Sequence, residues 1–475
     1  MPELTRRRRL VVLAICCTSL LVVSLDNTAL NVALPSIRRD LDASVAGMQW
    51  IVDAYTLVLA SLLMLAGSTA DRIGRRKVFA TGLVLFALGS LLCSLAPDQE
   101  TLIAFRMVQA VGGSMLNPVA MSIITNTFTE PAARARAIGV WGSVVGVSMA
   151  AGPLVGGLLV ETVGWRAVFW VNLPVALAAL VLTLRYVPES RAPRPRRPDP
   201  VGQLLVTALL ASLTYAIIET DPLFAGIAAV ALTGLLLYEP RRREPLIDLR
   251  FFRSAPFGGA VVIAVCAFAA LGGFLFLNTL YLQDVRGLNA LEAGLHMLPL
   301  AGTTFLLAPV SGRLTGSRGP RLPLLLAGTA MAAGSLLFAA FEAETDDVLL
   351  FTGYVLFGTG FGLVNAPITN TAVSGMPRTQ AGVAAAVAST SRQTGQTLGV
   401  AVTGALLAAG LASPGGFVAA ARPGYWVVTA CGLAVLLAGA VTTGPWARRT
   451  AERTARALDA EDPAAQAAAS GGRPA

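Results

Sequence analysis

Apolar blocks recur along this chain from end to end, each bounded by charge, proline or glycine. A helix needs about 20 apolar residues to cross a bilayer, and fourteen blocks come close to that length. The pattern predicts spans at 10–37, 48–70, 78–96, 101–124, 135–160, 165–186, 201–219 and 222–238. A second group is predicted at 256–282, 290–312, 322–341, 348–370, 382–410 and 424–446. The two spans 201–219 and 222–238 are the least sharply bounded, with only a short turn between them. The fold expected is an all-α membrane protein of fourteen transmembrane helices. The organisation expected is an N-terminal segment 1–9, a six-helix bundle 10–186, basic loops with two inserted helices at 187–255, a second six-helix bundle 256–446, and a tail 447–475.

Composition sharpens this picture. Of 475 residues, 55% are hydrophobic and 13% charged, where a soluble chain carries about 25% charge. Soluble, disordered and disulfide-rich secreted classes are excluded. The net charge of +9 is unevenly placed. If the N-terminus is cytoplasmic, 29 of the 36 basic residues fall in cytoplasmic segments, 5 outside, and Arg106 and Arg392 within spans. That bias is the positive-inside pattern, so both termini are expected in the cytoplasm and the charge is no nucleic-acid footprint. Basic loops also suit anionic lipid headgroups. Residues 1–22 resemble a signal peptide, but the apolar run continues past Asp26 without a small-x-small cleavage site, so an uncleaved first helix is expected. From about 447 the chain turns polar and is expected to be a frayed cytoplasmic tail. Arginine outnumbers lysine 35 to 1, a coding bias of G+C-rich bacteria, and the cytoplasmic membrane of a bacterium is the expected location.

Several chemistries lack their residues. Cys16, Cys17, Cys93, Cys266 and Cys431 lie in apolar runs without CxxC spacing and read as small buried hydrophobes. Lys77, the only lysine, is followed by Val78, so there is no Walker A loop. No serine has glycine at both −2 and +2, which removes the nucleophile elbow. His296 is the only histidine, so no multi-histidine metal site exists. No enzyme activity, metal or cofactor is expected.

An internal repeat appears next. The loop after the second span has Gly67, Asp71, Arg72, Gly74, Arg75 and Arg76; the loop after the tenth has Gly312, Gly316, Gly319 and Arg321. The glycines align at +0 and +7 and the last arginine at +9, with Gly316 in the place of Asp71. Two similar six-helix halves are a transporter signature, with the substrate site near the midplane between them.

The segment 67–76 resembles the G-x-L-A-D-R-x-G-R-R loop of the major facilitator superfamily, with Thr69 where leucine is usual. Residues 25–35, with Asp26, Asn27 and Asn31, resemble the first-helix motif of its fourteen-helix drug:proton antiporters. Arg106, Gln109 and Ala110 are similar to the fourth-helix motif R-x-x-Q-G, with alanine for the usual glycine. Gly142, Gly146, Gly152, Pro153, Gly156 and Gly157 resemble the fifth-helix antiporter motif. The motifs cover the first half in order, and the second half matches mainly in architecture. The resemblance implies a conformational latch at Gly67, Asp71, Arg72, Gly74 and Arg75. It also implies a bending, proton-tight helix around 142–157, and a monomer.

Intramembrane charges are costly and default to functional candidates. Asp26 lies deep in the first span, with Asn27 beside it and Asn31 one turn on. Asp26 and Asp53 are expected to be proton-responsive carboxylates, with Arg106 as their electrostatic partner. Arg106 and Asp53 also lie close enough to a helix end to snorkel. Arg392, near the middle of its span, with Gln396 on the same face, is expected to line the substrate cavity together with Asn27, Asn31 and Gln109. Trp50, Trp165, Trp426 and Trp446 fall at predicted interfaces, as anchoring aromatics do. The function expected is a proton-driven antiporter exporting small amphipathic drugs or antibiotics by alternating access, its partners being substrate, protons and membrane lipids. The alternative is a dedicated exporter of one endogenous metabolite (an amino acid, sugar or siderophore) on the same fold.

Overall fold

A computed structural model describes residues 5–192, 199–242, 245–374, 376, 381–411 and 416–459. The helices run α1 (Arg6–Leu41), α2 (Val45–Ile73), α3 (Arg75–Ser94), α4 (Gln99–Thr127), α5 (Pro131–Thr162), α6 (Ala167–Trp170), α7 (Asn172–Tyr186), α8 (Pro200–Ile218) and α9 (Pro222–Tyr238). They continue with α10 (Ala255–Leu280), α11 (Ala290–His296), α12 (Leu298–Arg318), α13 (Arg321–Ala339), α14 (Asp347–Val373), α15 (Ala381–Leu411), α16 (Gly416–Thr442) and α17 (Pro445–Asp459). No β-strand occurs among the described residues. Twelve helices are long and apolar enough to cross a membrane, or fourteen if each of two pairs bent by 40° is one span. One bend divides α5 between Met149 and Ala151. Pro153 lacks the N–H that would bond the Met149 carbonyl, which weakens the helix there. The other bend separates α11 from α12, where Pro299 is the second residue of α12.

Polar side chains start the helices where the apolar blocks begin. Ser44, Asp98, Asp199 and Asp346 accept backbone N–H bonds at the starts of α2, α4, α8 and α14. The bond from Thr101 N–H holds the Asp98 carboxyl below the usual carboxylate range. Asn289 and Glu292 form a reciprocal capping box on α11.

The turns holding residues 72–77, 187–192, 239–253 and 318–321 mark one end of the bundle, called here the arginine-rich end; the opposite end is the far end. Two apolar cores run through the molecule, and the larger reaches both ends of the bundle, from Phe251 and Leu458 at the arginine-rich end to Phe341 at the far end. One is confined to α1–α5, α7 and the segment just after α7, including Val12, Cys16, Leu63, Phe79 and Phe86. The other joins the far-end parts of α1 and α2, including Leu34, Ile37 and Met48, to α10 and α13–α16. Within it Phe274 stacks on Phe338 at 4.6 Å and lies 4.9 Å from Phe357. The two halves therefore share an apolar core at the far end.

The inserted hairpin α8–α9 sits beside the seam between the halves. Gln203 Nε2 donates to the Ser61 carbonyl of α2. Trp50 Nε1 donates to Glu219 at 2.8 Å, and Tyr215 lies between Trp50 and Phe224. A small space is enclosed by Leu57 and Ala60 of α2, Leu210 and Thr214 of α8, and Thr394, Thr397 and Leu398 of α15.

Three expectations are corrected. The frayed tail instead begins as the helix α17: Ala447, Ala451, Thr454 and Leu458 recur at helical spacing and are buried, while Arg448, Arg449, Arg453 and Arg456 stay exposed. Its buried face holds a single large apolar side chain, Leu458, so no apolar block announces it. The remainder, 460–475, lies outside the described residues. Trp165 is 4% exposed and donates to Asp40 at 2.8 Å, so it is a core residue and no interfacial anchor. The last span begins at Gly416, earlier than the expected 424.

Candidate functional site

Asp26 lies in α1 with no exposed surface, and four helices converge on it. Arg106 Nη1 of α4 bonds Oδ2 at 2.6 Å. Gln109 Nε2, one turn on, bonds Oδ1 at 2.9 Å, and Asn172 Nδ2 at the start of α7 bonds the same oxygen at 2.7 Å. Ser90 Oγ of α3 accepts from both amides, at 2.7 Å from Gln109 and 3.2 Å from Asn172. Arg106 also donates to the side-chain Oε1 of Gln109 at 2.6 Å and to the Ile51 backbone carbonyl at 3.3 Å, and its guanidinium lies 4.1 Å from the Tyr55 ring centre. The close approach of α3 and α4 permits this: a Cβ at Gly89 would fall 2.4 Å from Gln109 Cα. Arg106 is fully buried and does not snorkel. A buried ion pair survives only when hydrogen bonds satisfy its remaining donors and acceptors, and three donors do so for Asp26.

Arg106 pairs with Asp26 alone. Asp53, in α2, is also without exposed surface, and neither of its carboxyl oxygens has a hydrogen-bond partner. The two carboxylates thus share burial and differ entirely in company. Asn31 Nδ2 bonds the Asn27 carbonyl at 2.8 Å, and Asn27 Oδ1 is buried without a partner. Across the seam, Thr397 Oγ1 of α15 donates to Thr56 Oγ1 of α2 at 2.7 Å. Gln49 Nε2 reaches the Ala401 carbonyl at 2.9 Å. Arg392 is half-buried on α15 and donates to Thr369 Oγ1 of α14; its Nε has no partner. Gln396 is buried, its backbone carbonyl close against Gly272 of α10.

The segment 67–76, expected as a loop, is the end of α2, Gly74 and the start of α3, and it closes on itself and on the segment after α7. Asp71 Oδ1 accepts from Arg75 Nε at 3.0 Å and Nη2 at 2.7 Å. Gly74 has φ +126, a conformation that favours glycine, and a Cβ there would also strike the Glu189 carboxylate. Glu189 Oε1 accepts from Arg76 N–H at 3.1 Å, Ser190 O from Arg75 N–H at 2.9 Å, and Asp71 O from Ala192 N–H at 3.0 Å. Arg72 is exposed, and a Cβ at Gly67 would have Pro118 as a neighbour at 3.7 Å.

The glycines of α5 divide by depth. A Cβ at Gly152 would lie 1.8 Å from Thr28 Oγ1, and one at Gly156 2.9 Å from Ala29 Cα, so α1 and α5 touch backbone to backbone. A Cβ at Gly157 would lie 2.5 Å from the Ala290 carbonyl oxygen of α11, one at Gly294 2.3 Å from the Pro153 carbonyl oxygen, and one at Gly146 3.2 Å from the Phe305 ring of α12. Toward the arginine-rich end, a Cβ at Gly139, Gly142, Gly312 or Gly316 meets nothing within 4 Å. Arg38 pairs with Asp284 at 3.3 Å and Gln283 bonds the Val32 carbonyl at 2.8 Å, again joining the halves at the far end. The described contacts between the two parts of the chain gather at the far end, while these four glycines of α5 and α12 meet no neighbour.

Asn172, Ser90, Glu189 and Gln49 were not singled out from the sequence. Asn172 carried a signal, an amide inside an apolar span two residues before Pro174. Ser90 and Gln49 carried none, because single small or amide side chains are common in such spans. Glu189 lay in a basic loop and read as solvated charge.

The sequence matches the Major Facilitator Superfamily profile over residues 16–400. The chain belongs to the major facilitator superfamily. This facilitator is 38% identical to a tetracenomycin C resistance and export protein of Streptomyces glaucescens, over 82% of this chain and 74% of that one. It is 37% identical to a puromycin resistance protein of Streptomyces alboniger, over 90% and 89%. It is 36% identical to the multidrug resistance protein Stp of Mycobacterium tuberculosis (strain CDC 1551 / Oshkosh), over 86% and 77%. Among solved structures it resembles a D-xylose–proton symporter, with TM-score 0.69 at 13% identity, covering 92% of this chain and 98% of that one. It also resembles a bacterial homologue of the human lysosomal transporter Spinster, inward-facing and unoccupied, with TM-score 0.65 at 20% identity over 95% and 99%. It is a multi-pass membrane protein with the facilitator fold.

Proposed function

We propose that this facilitator is a proton-driven antiporter that exports small amphipathic drugs or antibiotics across the bacterial cytoplasmic membrane by alternating access. The reading takes fourteen spans, with each bent pair crossing once, arranged as two six-helix repeats around the inserted α8–α9. The arginine-rich end faces the cytoplasm, which makes the described state inward-facing. The observation that carries the reading is the pair of buried carboxylates on the N-terminal half, one clamped by Arg106 and one bare.

Asp53 is the proton carrier in this state. A buried charge without a partner is costly, and protonation of Asp53 removes it. Asp26 and Arg106 form a charge-balanced clamp that holds α1, α3, α4 and α7 together, and drug-driven displacement of α1 pulls on it. Each proton entering down the membrane potential supplies about 2.3 kcal/mol per 100 mV. Asn27, Asn31, Arg392 and Gln396 line or border the cavity, whereas Gln109, expected there, is buried in the Asp26 clamp; the 67–76 segment is a latch that hands Asp71 to Arg75 when the cytoplasmic side opens. The far-end glycines of α5 seal the outer side against proton leak. Lipids contact the basic loops, and the chain works as a monomer.

The relatives divide between proteins named for many drugs and proteins named for one antibiotic, and that division supports a second reading as a dedicated exporter. Expression in a host lacking its main efflux pumps separates the two. Reduced accumulation of ethidium, puromycin and a macrolide, each restored by a protonophore, supports a multidrug antiporter. Protection against a single compound supports the dedicated exporter. Accumulation unchanged for every compound and insensitive to the protonophore contradicts both.

A further inference from the structure

Arg392 is a cation without an ion-pair partner among the described residues. Helices α10 and α12–α16 contain no aspartate or glutamate except Asp347, which starts α14 at the far end. Arg392 sits 11 residues into α15, about 16 Å from its arginine-rich start. The bare carboxylate of Asp53 does not neutralise it. The Thr56–Thr397 bond fixes the antiparallel register of α2 and α15. From that bond Asp53 lies three residues toward the far end and Arg392 five toward the arginine-rich end, so they differ by about 12 Å in depth. That is beyond ion-pair range.

The surroundings of Arg392 are polar and incompletely paired. One guanidinium nitrogen donates to Thr369, and Nε is buried with no partner. The amide oxygen of the adjacent Gln393 and the hydroxyl of Thr390 are buried and unpartnered as well. On the facing helix Thr369 and Asn370 are exposed. A half-buried guanidinium whose Nε lacks a partner, next in sequence to an amide oxygen that also lacks one, suits a group that offers both an acidic oxygen and a hydrogen-bond donor. At this depth a lipid headgroup does not reach it, so the group must belong to a molecule that enters the cleft.

We infer that Arg392 is a specificity-determining residue that binds the acidic oxygen, carboxylate or phenolate, of an amphipathic aromatic substrate, with Gln393 and Thr369 completing the subsite. The inference rests on the efflux reading above and narrows it: the cavity takes acidic amphiphiles as well as cations. Thr369 orients the guanidinium, and Gln393 accepts a hydroxyl or N–H neighbouring the acidic oxygen.

The test uses two dyes on one xanthene frame, anionic fluorescein and cationic rhodamine 6G, exported from energised cells that express the full chain. Wild type is expected to export both. Arg392→Gln is expected to lower the ratio of fluorescein to rhodamine 6G export at least fivefold, and an unchanged melting temperature in detergent reports that the variant is folded. Arg392→Lys keeps the charge without the planar fork and is expected to fall between them for fluorescein. Equal loss of both dyes in Arg392→Gln and Arg392→Lys overturns the inference in favour of a structural arginine. Fluorescein export unchanged in Arg392→Gln, or rhodamine 6G but not fluorescein exported by wild type, also overturns it. Export of neither dye nor any drug by wild type contradicts the efflux reading itself.

Discussion

Removing the guanidinium of Arg106 strands Asp26 among Gln109, Asn172 and Ser90 with a buried negative charge and no cation. Breaking one side of such a pair costs about 3–5 kcal/mol. Arg106→Ala should therefore lower the melting temperature in detergent markedly, and the Asp26→Asn, Arg106→Gln double variant should lose less than the sum of its single changes. Asp53→Asn makes the opposite prediction: no hydrogen bond is lost, so the melting temperature should hold or rise while proton coupling disappears. Scanning fluorimetry on the three variants distinguishes a clamp from a carrier. From the sequence, Asp26, Asp53 and Arg106 were legible as charges inside apolar runs. Their division of labour was not, because Asp26 and Arg106 are 80 residues apart and meet only through the packing of α1 on α4. The bare state of Asp53 is an absence of neighbours, which no local pattern encodes.

At the scale of elements, the α5 glycines yield a depth-dependent prediction. Gly157→Leu drives a side chain into Ala290 and Leu291 of the other half, an overpacking that costs about 1–3 kcal/mol. It should open the far end, seen as faster thiol labelling of a cysteine placed at Asn289. Gly142→Ala meets no atom in this state and should leave that labelling unchanged. Helix α17 gives a second test: Leu458→Asp, on its buried face, should release it and create a protease-sensitive site after Pro445. The main apolar spans were legible because each carries its own length and boundary signals. Helix α17 was not, since its buried face is two alanines, a threonine and a single leucine, whereas the break between α6 and α7 does carry a local signal, Pro174, which lacks the N–H that would bond the Trp170 carbonyl.

Over the whole molecule, the distribution of close contacts defines the state. Far-end contacts join the halves through Arg38 and Asp284, Gln49 and Ala401, and Gly157 and Ala290. The α5 and α12 glycines toward the arginine-rich end face open space. The other end-state of alternating access reverses this asymmetry, and Gly139, Gly142, Gly312 and Gly316 are the small positions that would then come together. Distances between spin labels at Arg72 and Arg318 should shorten, and those between Asp42 and Asn289 lengthen, when the protein is shifted to that state. The repeat read at 67–76 and 312–321 suggested which segments would move under the proposed alternating access; it could not say which end is closed, because both states use the same sequence.

The central claim is that drug export is paid for by proton entry through Asp53, and substrate-driven proton flux tests it most directly. Purified protein in liposomes containing a pH dye would be given a drug gradient directed from the arginine-rich face to the far face. The account predicts coupled proton movement in the opposite sense for wild type, and none for Asp53→Asn although that variant still binds drug. Full coupled flux in Asp53→Asn would contradict it.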